Sequence, residues 1–167
     1  HALVGASFDN ELGTLAGTAY LFDAVTGQQR AKFFGSDTDP FDQVGRAVAI
    51  DGGTALIGAR ALAAIGAVYV FDLATAQQTA KLSASDGEFD DNFGISVAVD
   101  AGLAVIGADG DDDNGNFSGS AYLFDVASGQ ELTKILPADG AAEGHFGFRV
   151  AIDGATVVVY AHGEDYA

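Results

Sequence analysis

The chain contains no cysteine, no methionine and no tryptophan. Without cysteine there is no disulfide framework and no thiolate metal site. An extracellular protein can also do without disulfides, so this absence does not locate the chain. Without methionine, the chain reads as processed or cut from a longer protein, and no signal peptide shows in it. Basic residues are scarce: 7 Lys and Arg stand against 24 Asp and Glu, a formal net charge of -17. That balance excludes nucleic acid and an anionic membrane surface as partners, because phosphate binding needs clustered positive charge. Cations, neutral ligands such as glycans, and other proteins remain. High acidity also serves solubility by itself. No apolar run approaches the ~18 residues of a membrane-spanning helix, which excludes membrane insertion of that kind. Proline is rare, at 2 residues.

Glycine, in contrast, is abundant at 23 of 167 residues. Glycine supplies the positive φ that tight turns between short strands require. The chain also repeats itself. GTAYLFD from Gly17, GAVYVFD from Gly66 and GSAYLFD from Gly119 align, as do VGRAVAID from Val44, FGISVAVD from Phe93 and FGFRVAID from Phe146. A third element runs ALVGA from Ala2, ALIGA from Ala55, AVIGA from Ala104 and a drifted VVVYA from Val157. The intervals are 49 or 53 residues, and the difference of four falls between the third element and the first. That connection is therefore a loop of variable length.

Each repeat reads as four strands: A (FGISVAVD from Phe93), B (ALIGA from Ala55), C (GAVYVFD from Gly66) and D (QQTAKLSA from Gln77). Alternation of Val48 and Ile50 with Ala49, and its equivalents at 97–99 and 150–152, has the period of a strand. Tyr20 and Phe22 on one face, with Ala19 and Leu21 on the other, make strand C apolar on both faces, as in stacked sheets. The links Asp51-Gly52-Gly53, Asp100-Ala101-Gly102 and Asp153-Gly154 carry hairpin residues. The expectation is an all-β chain of four-stranded antiparallel β-propeller blades, three repeats plus part of a fourth, forming an incomplete ring or a fragment of one. Residues 1–167 make one propeller segment, with repeats near 2–43 (partial), 44–92, 93–145 and 146–167 (partial).

Phe93-Gly94 and Phe146-Gly147, with Val44-Gly45 as a variant, recur in register with Gly5-Ala6, Gly58-Ala59 and Gly107-Ala108. This pattern resembles the FG-GAP repeat, the family of the integrin α-chain propeller and of many secreted bacterial proteins. The resemblance implies an extracellular or cell-surface protein with a role in adhesion or recognition. It departs from the family where Ser7, Arg60, Asp109 and His162 replace the proline of the second pair. Integrin-like blades hold calcium in an acidic loop between strands A and B. Here those links are short turns with a single Asp, so those ligands do not carry over.

Acidic residues gather instead between strands B and C of the third repeat: Asp109, Asp111, Asp112, Asp113 and Asn114. Alternate carboxylates followed by a glycine suit calcium, which takes six to eight hard oxygen ligands. Close carboxylates repel one another, which also favours a cation. The first repeat has a loop of equal length in which Asp9 aligns with Asp111, Glu11 with Asp113 and Ser7 with Asp109, making a weaker second candidate. The second repeat, Arg60 to Ile65, is four residues shorter and has no carboxylate. A further acidic series between strands D and A (Asp37, Asp39, Asp42; Asp86, Glu88, Asp90, Asp91; Asp139, Glu143) reads as an ordinary exposed connection.

No nucleophile elbow, phosphate loop or His ligand spacing is present, and Tyr20, Tyr69 and Tyr122 read as strand packing. The functional expectation is a non-enzymatic extracellular recognition or structural module, calcium-stabilised, within a larger secreted or surface protein, with a protein or glycan ligand. The alternatives are a portion of a propeller enzyme acting on glycans, and a ligand-free scaffold that self-associates to complete the ring.

Overall fold

The computed structural model describes residues 1–61 and 64–163. Among the described residues there are thirteen strands and no helix. The first sheet is β1 (Ala2–Ala6), β2 (Thr18–Phe22) and β3 (Gln29–Phe33), in that order. The second is β4 (Val44–Asp51), β5 (Thr54–Ala59), β6 (Ala67–Asp72) and β7 (Gln77–Leu82). The third is β8 (Ser96–Asp100), β9 (Leu103–Ala108), β10 (Ser120–Asp125) and β11 (Gln130–Ile135). The last is β12 (Phe146–Asp153) paired with β13 (Thr156–Ala161). All ladders are antiparallel meanders, and the four sheets form an open stack of blades, an incomplete propeller.

The hairpins form where the sequence supplies left-handed residues. Gly52, Ala101 with Gly102, and Gly154 turn the first hairpin of their blades at positive φ. The Asp that ends β6 and β10, or directly follows β2, then caps the next turn: Asp72, Asp125 and Asp23 accept the backbone N–H groups of Thr75, Ser128 and Thr26. A bulge recurs at one place in the outer pairing, between Leu21 and Phe22, Val70 and Phe71, and Leu123 and Phe124.

The core lies between blades. Leu21 and Phe33 of the first blade pack on Ile57, Tyr69 and Phe71 of the second, with the Phe33 and Phe71 rings 4.8 Å apart. Leu56, Val68 and Leu82 of the second pack on Phe93, Ile106, Tyr122 and Phe124 of the third. The two recurring sequence pairs turn out to be one contact. A Cβ on Gly5, Gly58 or Gly107 would lie far inside van der Waals distance of the carbonyl oxygen of Gly45, Gly94 or Gly147 in the next blade. The Gly-Ala of each blade is thus the seat for the Phe-Gly of its successor. The Phe-Gly glycines themselves sit at positive φ, which lets the strand enter that seat.

Candidate functional site

All three lysines of the chain, Lys32, Lys81 and Lys134, occupy one repeat position. Each lies directly across the ladder from a strand C tyrosine: Tyr20 from Lys32, Tyr69 from Lys81, Tyr122 from Lys134. Cross-strand partners share a face, so the ammonium rests over the ring, 5.0, 5.4 and 5.2 Å from its centroid. The Tyr69 and Tyr122 rings are buried, and their hydroxyls emerge at the same rim as the acidic loops.

The third blade shows the fullest cluster. Lys134 Nζ lies 2.7 Å from Asp111 Oδ2, 2.6 Å from Asp113 Oδ2 and 2.9 Å from Asp86 Oδ2. Asp111 and Asp113 belong to the blade's own loop, whereas Asp86 arrives from the exit loop of the second blade. The Tyr122 hydroxyl is shared between Asp86 Oδ1 and Asp111 Oδ2, each at 2.9 Å. Burial alone depresses an ammonium pKa, yet hydrogen bonds to the three carboxylates and the tyrosine outweigh it and hold Lys134 well above the ordinary lysine value. Burial raises the Tyr122 pKa too, and the neighbouring carboxylates add to it.

The first blade repeats this on a smaller scale. Tyr20 donates to Asp9 Oδ2 at 3.0 Å, and Lys32 pairs with Glu11 and lies 3.7 Å from Asp9. The backbone agrees with the alignment, since Gly17 N–H donates to Asp9 O and Gly119 N–H to Asp111 O. In the second blade the short loop brings no carboxylate. Lys81 keeps only Asp37, at 2.6 Å, from the exit loop of the first blade, and Tyr69 donates to the same Asp37 at 2.9 Å. Beside the short loop lies a cleft of about 710 Å³, lined among others by Asp37, Asp42, Ile65, Tyr69, Lys81 and Phe89. Leu62 and Ala63 of that short loop lie outside the described residues.

The residues proposed from sequence for calcium are not brought together as one set. Asp111 and Asp113 face Lys134. Asp109 turns the other way, accepting from Asn92 Nδ2 at 2.9 Å, with its backbone carbonyl 3.1 Å from His145 Nδ1. Asp112 and Asn114 are exposed, and the Asn114 backbone N–H reaches Ser118 Oγ at 3.3 Å. Among the described residues no group of three or more His, Asp or Glu is arranged to close on a metal ion. The donor set does not fit calcium here, because the oxygens of Asp111 are taken by the tyrosine, the lysine and the Asp113 N–H. The Lys134 ammonium lies among these carboxylates.

The acidic series between strands D and A is more than an exposed connection. Asp37 and Asp86 reach the next blade, and Asp91 is buried, accepting the Glu88 N–H at 2.6 Å. The lysines escaped the sequence reading. Their signal was available: every lysine of a lysine-poor chain falls at one register position, each twelve residues after a strand C tyrosine.

Compared with protein-family models, residues 28–71, 76–124 and 130–167 each match the FG-GAP repeat. No curated protein matches the chain.

Proposed function

This chain belongs to the FG-GAP repeat family, and from that premise we propose that it is a non-enzymatic extracellular recognition module whose ligand seat is the cleft over the second blade. FG-GAP repeats are repeat modules of extracellular and integrin-like proteins, which supports the setting. The observation that carries the reading is the four-residue deletion in the second blade's loop. The concave space beside it, about 710 Å³, exceeds the one of about 230 Å³ at the third blade, where the loop is longer. Ligand sites are concave, with apolar walls and a few polar groups. Here Ile65 and the 64% exposed Phe89 ring supply apolar surface, while Asp37, Asp42 and Lys81 supply hydrogen-bond partners. The local charge is negative, which disfavours an anion. Carboxylates beside an exposed aromatic ring suit a neutral, hydroxyl-rich ligand such as an oligosaccharide.

A neutral glycan array followed by titration calorimetry tests this. The expected result is a neutral oligosaccharide bound and not cleaved, with affinity about tenfold weaker in Phe89→Ala, a cost of about 1.4 kcal/mol. Release of reducing sugar would support the propeller-enzyme alternative instead. Binding unaffected by Phe89→Ala would remove the cleft from the proposal.

A further inference from the structure

The third-blade rim has the acids expected of a calcium loop and a different cation among them, and we propose that Lys134 is the resident cation of that loop, taking the role an ion would otherwise fill. An ammonium has three donors, and three carboxylate oxygens surround this one, from Asp86, Asp111 and Asp113. The arrangement is held in place. The Lys134 side chain is 16% exposed and that of Asp111 only 4%, so neither is a surface chain free to swing. The stem lies along the Tyr122 ring, and Tyr122 itself is fully buried.

The repeats supply an internal control. Lys32 meets Asp9 and Glu11, the positions equivalent to Asp111 and Asp113. Lys81, whose blade has no loop acid, holds one carboxylate and is 42% exposed. The burial of the lysine therefore follows the acids in its own loop, as expected if ammonium and loop are one unit. A divalent ion seated between Asp111 and Asp113 would have to expel the ammonium, since two cations cannot share that seat. Because Asp86 comes from the preceding blade, the same ammonium also ties the second blade to the third. The wild-type loop is consequently independent of calcium, and removing the ammonium frees three carboxylates to rearrange around a calcium ion.

Thermal melting of wild type and Lys134→Met, each in chelator, in millimolar calcium and in millimolar magnesium, tests the proposal. Wild type is expected to melt within about 1 °C in all three. Lys134→Met is expected to melt about 5–10 °C lower in chelator and to regain part of that loss with calcium but not magnesium. A calcium-specific rise in wild type that Asp111→Asn abolishes overturns the proposal, as does Lys134→Met melting like wild type. Should Lys134→Met fail to fold, the wild-type arms alone decide. None of these outcomes touches the recognition cleft, which lies over a different blade.

Discussion

Asp91 and Asp86 share one loop, and their pKa values are displaced in opposite directions. Asp91 is buried, and its burial pushes its pKa up despite the Glu88 N–H that it accepts, with the Asp111 charge adding to the rise. Asp42 in the first exit loop behaves likewise. Burial also pushes on Asp86, but the Lys134 ammonium and the Tyr122 hydroxyl outweigh it and hold that carboxyl below its ordinary value. Asp37 is held down by Lys81 and Tyr69, and Asp9 by the Glu11 N–H and Tyr20. The consequences for stability have opposite signs. Carboxylates with a lowered folded pKa stabilise above about pH 4 and lose that contribution as pH falls through their folded values. Asp42 and Asp91 are costly while ionised, and protonation relieves that cost as pH falls through their raised values, before the others begin to titrate. A net charge of -17 works in the same direction, because acidification reduces self-repulsion. The expected profile rises slightly from pH 7 toward about pH 5 and falls below about pH 4. Urea midpoints between pH 3 and 7 measure it. Asp91→Asn should flatten the rise and leave the acid limb unchanged; a steady decline from pH 7 in wild type contradicts the assignment.

At the scale of the element, the exit loops and turns work as couplers between blades. Asp51 accepts the Ala101 N–H at 2.9 Å and Asp100 the Gly154 N–H at 2.6 Å, so the single Asp of each first hairpin ties it to the next blade. Ser36 N–H donates to Gln78 Oε1 and Ser85 N–H to Glu131 Oε2, both at 2.9 Å. At the loop rim, Asp37 and Asp86 complete the series, but their surroundings differ. Asp37 and Lys81 are 55% and 42% exposed, so solvent screens that pair and it contributes at most about 0.5 kcal/mol. Asp86 meets a lysine that is only 16% exposed, whereas the tyrosine hydroxyl is common to both, Tyr69 for Asp37 and Tyr122 for Asp86. Asp86→Ala is therefore expected to cost about 1–2 kcal/mol in urea unfolding, and Asp37→Ala, which loses a screened ion pair and one tyrosine hydrogen bond, about 1 kcal/mol or less. Equal costs would show that burial does not set the strength of the coupler. The sequence made the blades legible because strand alternation and turn residues act within a few positions. The couplers join residues about one repeat apart, and they emerge only when register and stacking are known. Asp100 read as a turn residue, and nothing local in the sequence says that it also holds its neighbour. The same reason explains the acidic loop: Asp111 and Asp113 look like ion ligands until strand pairing sets Lys134 beside them.

Across the whole molecule, three joints are built on one contact, and the outer face of the last sheet departs from it. Where Gly5, Gly58 and Gly107 stand in the first three blades, the fourth has Tyr160. Its register partner is Arg149, equivalent to Ala47 and Ser96, and both Arg149 and Tyr160 are exposed, as is Val158. The Phe148 and His162 rings stack 4.9 Å apart beside Tyr160 on the same short sheet. A side chain at the glycine position occupies the space into which the next Phe-Gly backbone enters at every other joint. A following blade seated as its predecessors are would meet that side chain. Exchanging the residues tests the argument inside the chain. Gly107→Tyr copies the fourth blade into the third and is expected to unseat β12 and β13, so that amides of 146–161 lose protection in hydrogen exchange while those of β5 and β6 keep it. Tyr160→Gly removes an exposed ring from a strand and should cost no more than about 1 kcal/mol, the ordinary penalty of glycine in that setting. If Gly107→Tyr leaves the last sheet protected, the joint tolerates a side chain at this position, and Tyr160 places no restriction on the blade that follows.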